Sequence, residues 1–162
     1  MLPDGTTGNL FPGIVRTKSS GTAPGVYLLQ ANFDAANLEW LAWSFRMPAD
    51  YASAPVMKVQ YKMTGATSGN VIINGRLAAV TVGDATDVDA KTFASANVSA
   101  ATAVPATTAG KLGEISLPLS TDDGLAAGDF VVVYLGRDGA SVSDTAAGDM
   151  EVVTVAVEYQ TT

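Results

Sequence analysis

The sequence contains no cysteine and no histidine. The first absence excludes disulfides, thiolate metal sites and cysteine nucleophiles. The second removes the imidazole that activates serine and cysteine nucleophiles and titrates near neutrality. Charge is also sparse: 15% of the 162 residues are charged, with a formal net charge of −7. An acidic surface repels nucleic acid and anionic membranes, so neither is expected as a partner. No run approaches the roughly 18–20 apolar residues of a membrane span. Met1-Leu2-Pro3-Asp4-Gly5 lacks the basic and apolar regions of a signal peptide, which leads to the expectation of synthesis in a cytoplasm.

What is present reads as strands and turns. Residues Met1 to Pro24 are rich in Gly, Pro, Thr and Ser, with Leu10, Phe11, Ile14 and Val15 as a small apolar cluster. That composition describes an extended arm whose apolar residues anchor it on its own domain or on a neighbour. Strands are expected from Gly25 to Ala31 and from Leu38 to Met47, where two Trp and a Phe favour a strand over a helix. In the second, Trp40, Ala42, Ser44 and Arg46 share one face; Leu41, Trp43, Phe45 and Met47 share the other, assigned to the core. From Val56 to Met63 the alternation is clean, with Met57, Val59, Tyr61 and Met63 opposite Lys58, Gln60 and Lys62.

Asn70 to Val82 is a long strand whose interior Gly75 suggests a bulge or bend. Phe93 and Val98 anchor one weak strand in an Ala/Thr/Ser-rich stretch. Lys111 to Leu119, the apolar run Asp129 to Leu135, and Asp149 to Tyr159 complete the set. About eight strands separated by Gly- and Asp-rich turns, with no amphipathic helix, predict an all-β antiparallel sandwich. One long return connection favours a jelly roll. The expected organisation is an N-terminal arm over 1–24 and a single β-sandwich domain over 25–162.

The acidic residues are the obvious candidates for chemistry. Asp84, Asp87 and Asp89 share a loop, but their spacing departs from a calcium-binding loop and no Glu closes it. Asp in such loops caps turns through its own backbone, and the same reading covers Asp122, Asp123, Asp138, Asp144 and Asp149. Sixteen acids guarantee that some pair lies at glycosidase spacing, and nothing singles one out. No catalytic residue, cofactor or metal ligand is assigned. Trp40, on the face read as outward, is read first as buried within the protomer, in a second apolar layer or under the N-terminal arm; an interface or stacking on a sugar ring are the alternatives. Asn97-Val98-Ser99 matches a glycosylation sequon of little weight.

Several segments together resemble small β-sandwich virion proteins of tailed bacteriophages. They are Trp43-Ser44-Phe45-Arg46-Met47-Pro48-Ala49-Asp50-Tyr51, Ala66-Thr67-Ser68-Gly69-Asn70-Val71, Ala126-Ala127-Gly128-Asp129, Arg137-Asp138 and Val155-Ala156-Val157-Glu158-Tyr159. The resemblance covers most of Trp40 to Tyr159 and implies a virion component made in a host cytoplasm. Its first implication is a capsid decoration (cement) protein. Such a protein would form a homotrimer and bind the major capsid protein lattice, with Leu10, Phe11, Ile14, Val15 and Trp40 as interface residues. The alternative is a carbohydrate-binding tail-fibre or spike module. A hydrolase is the least supported reading.

Overall fold

A computed structural model describes residues 11–162. Leu10 lies outside the described residues. Two antiparallel sheets face each other across one core. The strands are β1 (Gly13–Lys18), β2 (Tyr27–Phe33), β3 (Leu38–Arg46), β4 (Tyr51–Met63), β5 (Asn70–Val71) and β6 (Ile73–Val80). They continue as β7 (Asn97–Val98), β8 (Thr102–Ala103), β9 (Gly113–Pro118), β10 (Phe130–Asp138) and β11 (Met150–Thr161). One sheet runs β1-β2-β11-β4-β9 and the other β3-β10-β6-β7, while β5 and β8 pair separately. Among the described residues the one helical turn is Val88–Ala90. The fold is the expected antiparallel β-sandwich of jelly-roll type.

The inward faces follow the period of two. Met57, Val59, Tyr61 and Met63 of β4 are all buried against Leu77 of β6, Ile115 and Leu117 of β9, and Val131, Val133 and Leu135 of β10. Each such burial contributes about 1.5–3 kcal/mol before ordering entropy is subtracted.

Gly75 is not the bulge expected of it, because β6 stays in unbroken register with β10. It marks a close approach of the two layers instead. A Cβ there would lie 2.9 Å from Leu117 Cδ2 and 3.1 Å from Met57 Cε. The bulge sits in β11, where the pairing with β4 shifts between Val152 and Thr154. Met150 and Val152 face the core before it; Val155, Val157 and Tyr159 pack against the core after it. Strict alternation through the strand therefore fails.

The segment read as an arm is extended, but over Gly13–Lys18 it is a strand of the chain's own sheet. β1 pairs with β2 from Gly13↔Asn32 to Lys18↔Tyr27. The Ser19 N–H donates to the Val26 carbonyl at 2.8 Å, and the Val26 N–H donates to Ser19 Oγ at 3.0 Å, so the hairpin extends past the ladder. Phe11 packs against the core.

The end of the sandwich is closed by a buried ion pair. Arg137 and Asp144 have fully buried side chains, with Arg137 Nη2 at 2.7 Å from Asp144 Oδ1 and Nε at 3.0 Å from Oδ2. The remaining guanidinium donors go to the carbonyls of Ala146 (2.9 Å), Gly148 (2.8 Å) and Phe33 (3.5 Å). Asp144 Oδ2 also accepts the Ile72 N–H. The guanidinium thus ties β2, β10 and the loop before β11 together, with all its hydrogens engaged.

Candidate binding cleft

The two sheets do not cover each other along one side. β2 pairs with β11 only from Phe33↔Met150 to Ala31↔Val152, whereas β11 runs on beside β4 to Thr161. The facing edge of the other sheet is β3. Inner side chains of β3 and β11 are therefore left partly uncovered. Two cavities open there, and Trp43 lines both. One, of about 380 Å³, lies between Ile14, Leu29, Gln30, Leu41, Trp43 and the bulge at Val153-Thr154. The other, of about 310 Å³, lies between Trp43, Phe45, Arg46, Pro48, Val157 and Tyr159.

On the outer face of the same sheet, behind the cleft, a polar cluster joins β2, β11 and β4. Gln30 is buried, and its Nε2 donates to Glu151 Oε1 at 2.6 Å and to Asn32 Oδ1 at 3.0 Å. Its Oε1 has no hydrogen-bond partner. Glu151 in turn is ion-paired with Lys62. Burial holds the Lys62 ammonium below its ordinary range despite that partner. At the far end of the cleft the Tyr159 hydroxyl donates to Asp50 at 3.0 Å. Burial, then the hydrogen bond and charge of Asp50, raise its pKa above the usual phenol value.

A different surface holds Trp40. It is on the outer face of its sheet, as expected, and only 3% exposed. Its indole stacks on Tyr134 at 4.6 Å and 7°, and Phe93 stacks on the other side of the set at 4.9 Å from Tyr134. Arg76 lies over the indole at 5.5 Å. The ring rests on Gly136, where a Cβ would come within 2.6 Å of it. Trp40 is thus buried in an intramolecular stack. Ile14 enters the cleft, while Val15 lies on the opposite face of β1 and is exposed.

Trp43, Phe45, Gln30 and Tyr159 were not singled out in the sequence. Trp43 and Phe45 do point inward, as read, but β3 is an edge strand and leaves them half-buried. The candidate acids are occupied in turns and ties. Asp84 accepts the Thr86 N–H at 2.8 Å, Asp87 the Asp89 N–H at 3.0 Å, and Asp123 both the Ala79 N–H and Lys91. Among the described residues no three acidic side chains gather in a metal-binding group.

No protein-family model matches the sequence, and no curated protein matches it. Among solved structures the chain is similar to CBM28, a carbohydrate-binding module specific for non-crystalline cellulose. The TM-score is 0.52 at 12% identity, covering 98% of this chain and 87% of that one. A structure of CBM61 in complex with β-1,4-galactotriose matches at a TM-score of 0.38 and 11% identity, covering 95% and 92%. The decoration-protein reading is corrected on this ground: the shared fold is that of a carbohydrate-binding module, in line with the alternative weighed in the sequence. The physical grounds for it weaken too, since β1 is taken up by its own sheet and Trp40 is buried.

Proposed function

We propose that this domain is a non-catalytic carbohydrate-binding module that holds a glycan chain in the cleft between β3 and β11. The observation that carries the reading is Trp43, half-buried where two cavities meet. A sugar ring offers an apolar C–H face and a rim of hydroxyls. Trp43, Phe45 and Tyr159 supply flat apolar surface for the first; Arg46 supplies hydrogen-bonding groups for the second. The fold shared with CBM28 supports the same reading. None of the side chains lining the two cavities is a carboxylate, the group that glycoside hydrolysis needs in pairs.

The test is affinity electrophoresis against a panel of soluble polysaccharides, followed by calorimetry on those that retard the protein. Trp43→Ala should weaken binding at least tenfold, about 1.4 kcal/mol, with the melting profile retained. If no polysaccharide retards the wild-type protein, the proposal fails.

A further inference from the structure

The charge of the chain is distributed unevenly. Residues 5–33 carry two cations, Arg16 and Lys18, and no carboxylate; the rest of the chain carries seven cations and sixteen carboxylates. Both cations belong to the β1–β2 hairpin, and its register fixes where they point. Ile14 is opposite Ala31, Arg16 opposite Leu29, and Lys18 opposite Tyr27, so all six share one face. Ile14, Leu29 and Ala31 of this face line the larger cavity. The same face therefore continues outward from the cleft as Arg16, Tyr27 and Lys18. Arg16 Cζ lies 5.1 Å from the centroid of the Tyr27 ring, and Lys18 Nζ lies 6.0 Å from it. Tyr27 is 55% exposed with both cations over its ring. The smaller cavity contributes a third cation, Arg46, whose Nε donates to the Gly128 carbonyl.

We infer that the ligand of the cleft is an anionic polysaccharide, bearing carboxylate or sulfate groups, whose charges meet Arg16 and Lys18 beside Tyr27. This rests on the carbohydrate reading above and names the class of glycan. An acidic protein repels a polyanion over most of its surface, so a basic aromatic platform at the mouth of the cleft selects both the site and the direction of approach. The cations held over the Tyr27 ring pair with the substituent, and the part of the ring left exposed packs against the sugar. Asp50, bonded to the Tyr159 hydroxyl, stands at the opposite end. The anionic substituents therefore belong at the hairpin end.

The experiment uses the full chain and four polymers: polygalacturonate, dextran sulfate, hydroxyethylcellulose and dextran. Binding is measured at low and at moderate salt for wild type, Arg16→Gln/Lys18→Gln and Trp43→Ala. The expected result is retardation by polygalacturonate, dextran sulfate or both, which identifies the substituent. The double variant should reduce it at least tenfold, as should added salt, and Trp43→Ala should reduce it too. Anionic binding that survives either variant would place the polymer outside the cleft and overturn the inference. Hydroxyethylcellulose or dextran bound at least as tightly as the polyanions, and lost in Trp43→Ala alone, would overturn the anionic class while sustaining the carbohydrate reading. No binding to any polymer would overturn both. The exposed hairpin positions leave the core intact, and a thermal melt of each variant verifies this.

Discussion

Asp144→Asn isolates the buried tie at the end of the sandwich. The carboxylate accepts three hydrogen bonds: from Arg137 Nε, Arg137 Nη2 and the Ile72 N–H. An amide keeps one oxygen and turns the other into a donor, so at least one of these contacts becomes donor against donor. It also leaves a guanidinium with no exposed surface and no counter-charge. Removing one partner of a buried pair costs about 3–5 kcal/mol. For a domain of this length each kcal/mol moves Tm by roughly 2–4 °C, so a fall of roughly 6–20 °C is expected. Circular dichroism melts measure the shift. Urea titration should show a lower midpoint at unchanged slope, since the surface exposed on unfolding is the same. A Tm within about 2 °C of wild type would refute the reasoning, because a buried guanidinium cannot lose its counter-charge so cheaply.

Glu39 should make stability fall with rising pH. Burial raises its pKa above 4.5, the Asp34 N–H bond lowers it, and the charges of Asp34 and Asp149 raise it further. The folded state thus binds the proton more tightly than the unfolded chain; the contribution is complete below the unfolded value and lost as pH rises through the folded one. Glu39→Gln keeps an acceptor for the Asp34 N–H, and its Tm should fall less than that of wild type across this window; superimposable curves would refute the assignment. Gly136→Ala should cost about 1–3 kcal/mol, since its Cβ meets the Trp40 ring at 2.6 Å and the Glu39 carbonyl at 2.9 Å. Urea denaturation tests this, and a midpoint equal to that of wild type would show that the ring moves aside freely.

The strands with one dry face were legible in the sequence. β4 is such a case, because burying Met57 to Met63 on one side and keeping Lys58, Gln60 and Lys62 on the other forces the alternation. Strand neighbours were not legible. That β3 is an edge, and so leaves Trp43 half-exposed, depends on the order β3-β10-β6-β7 rather than on residues 38–46 themselves. The bulge at Val153 lies in a run of valines that suits either phase, so the change of inward face carried no local sign. Arg137 and Asp144 are seven residues apart, yet their pairing depends on a loop that returns to the sheet end. The composition of 1–24 hid a strand because six residues with Arg16, Thr17 and Lys18 among them look like a solvated tail until β2 is beside them.

Trp40 and Trp43 are the only tryptophans in the chain, and an offset of three along the strand sends their indoles to opposite faces. One is sealed in a stack with Tyr134; the other stands at the mouth of two cavities. The molecule therefore carries two independent optical reporters. Emission from Trp40 follows the integrity of the packed domain. Emission and quenching at Trp43 follow occupation of the cleft. Single-tryptophan variants, Trp40→Phe and Trp43→Phe, would separate the two signals, so that a ligand can be sought without a label and binding told apart from unfolding by which variant responds.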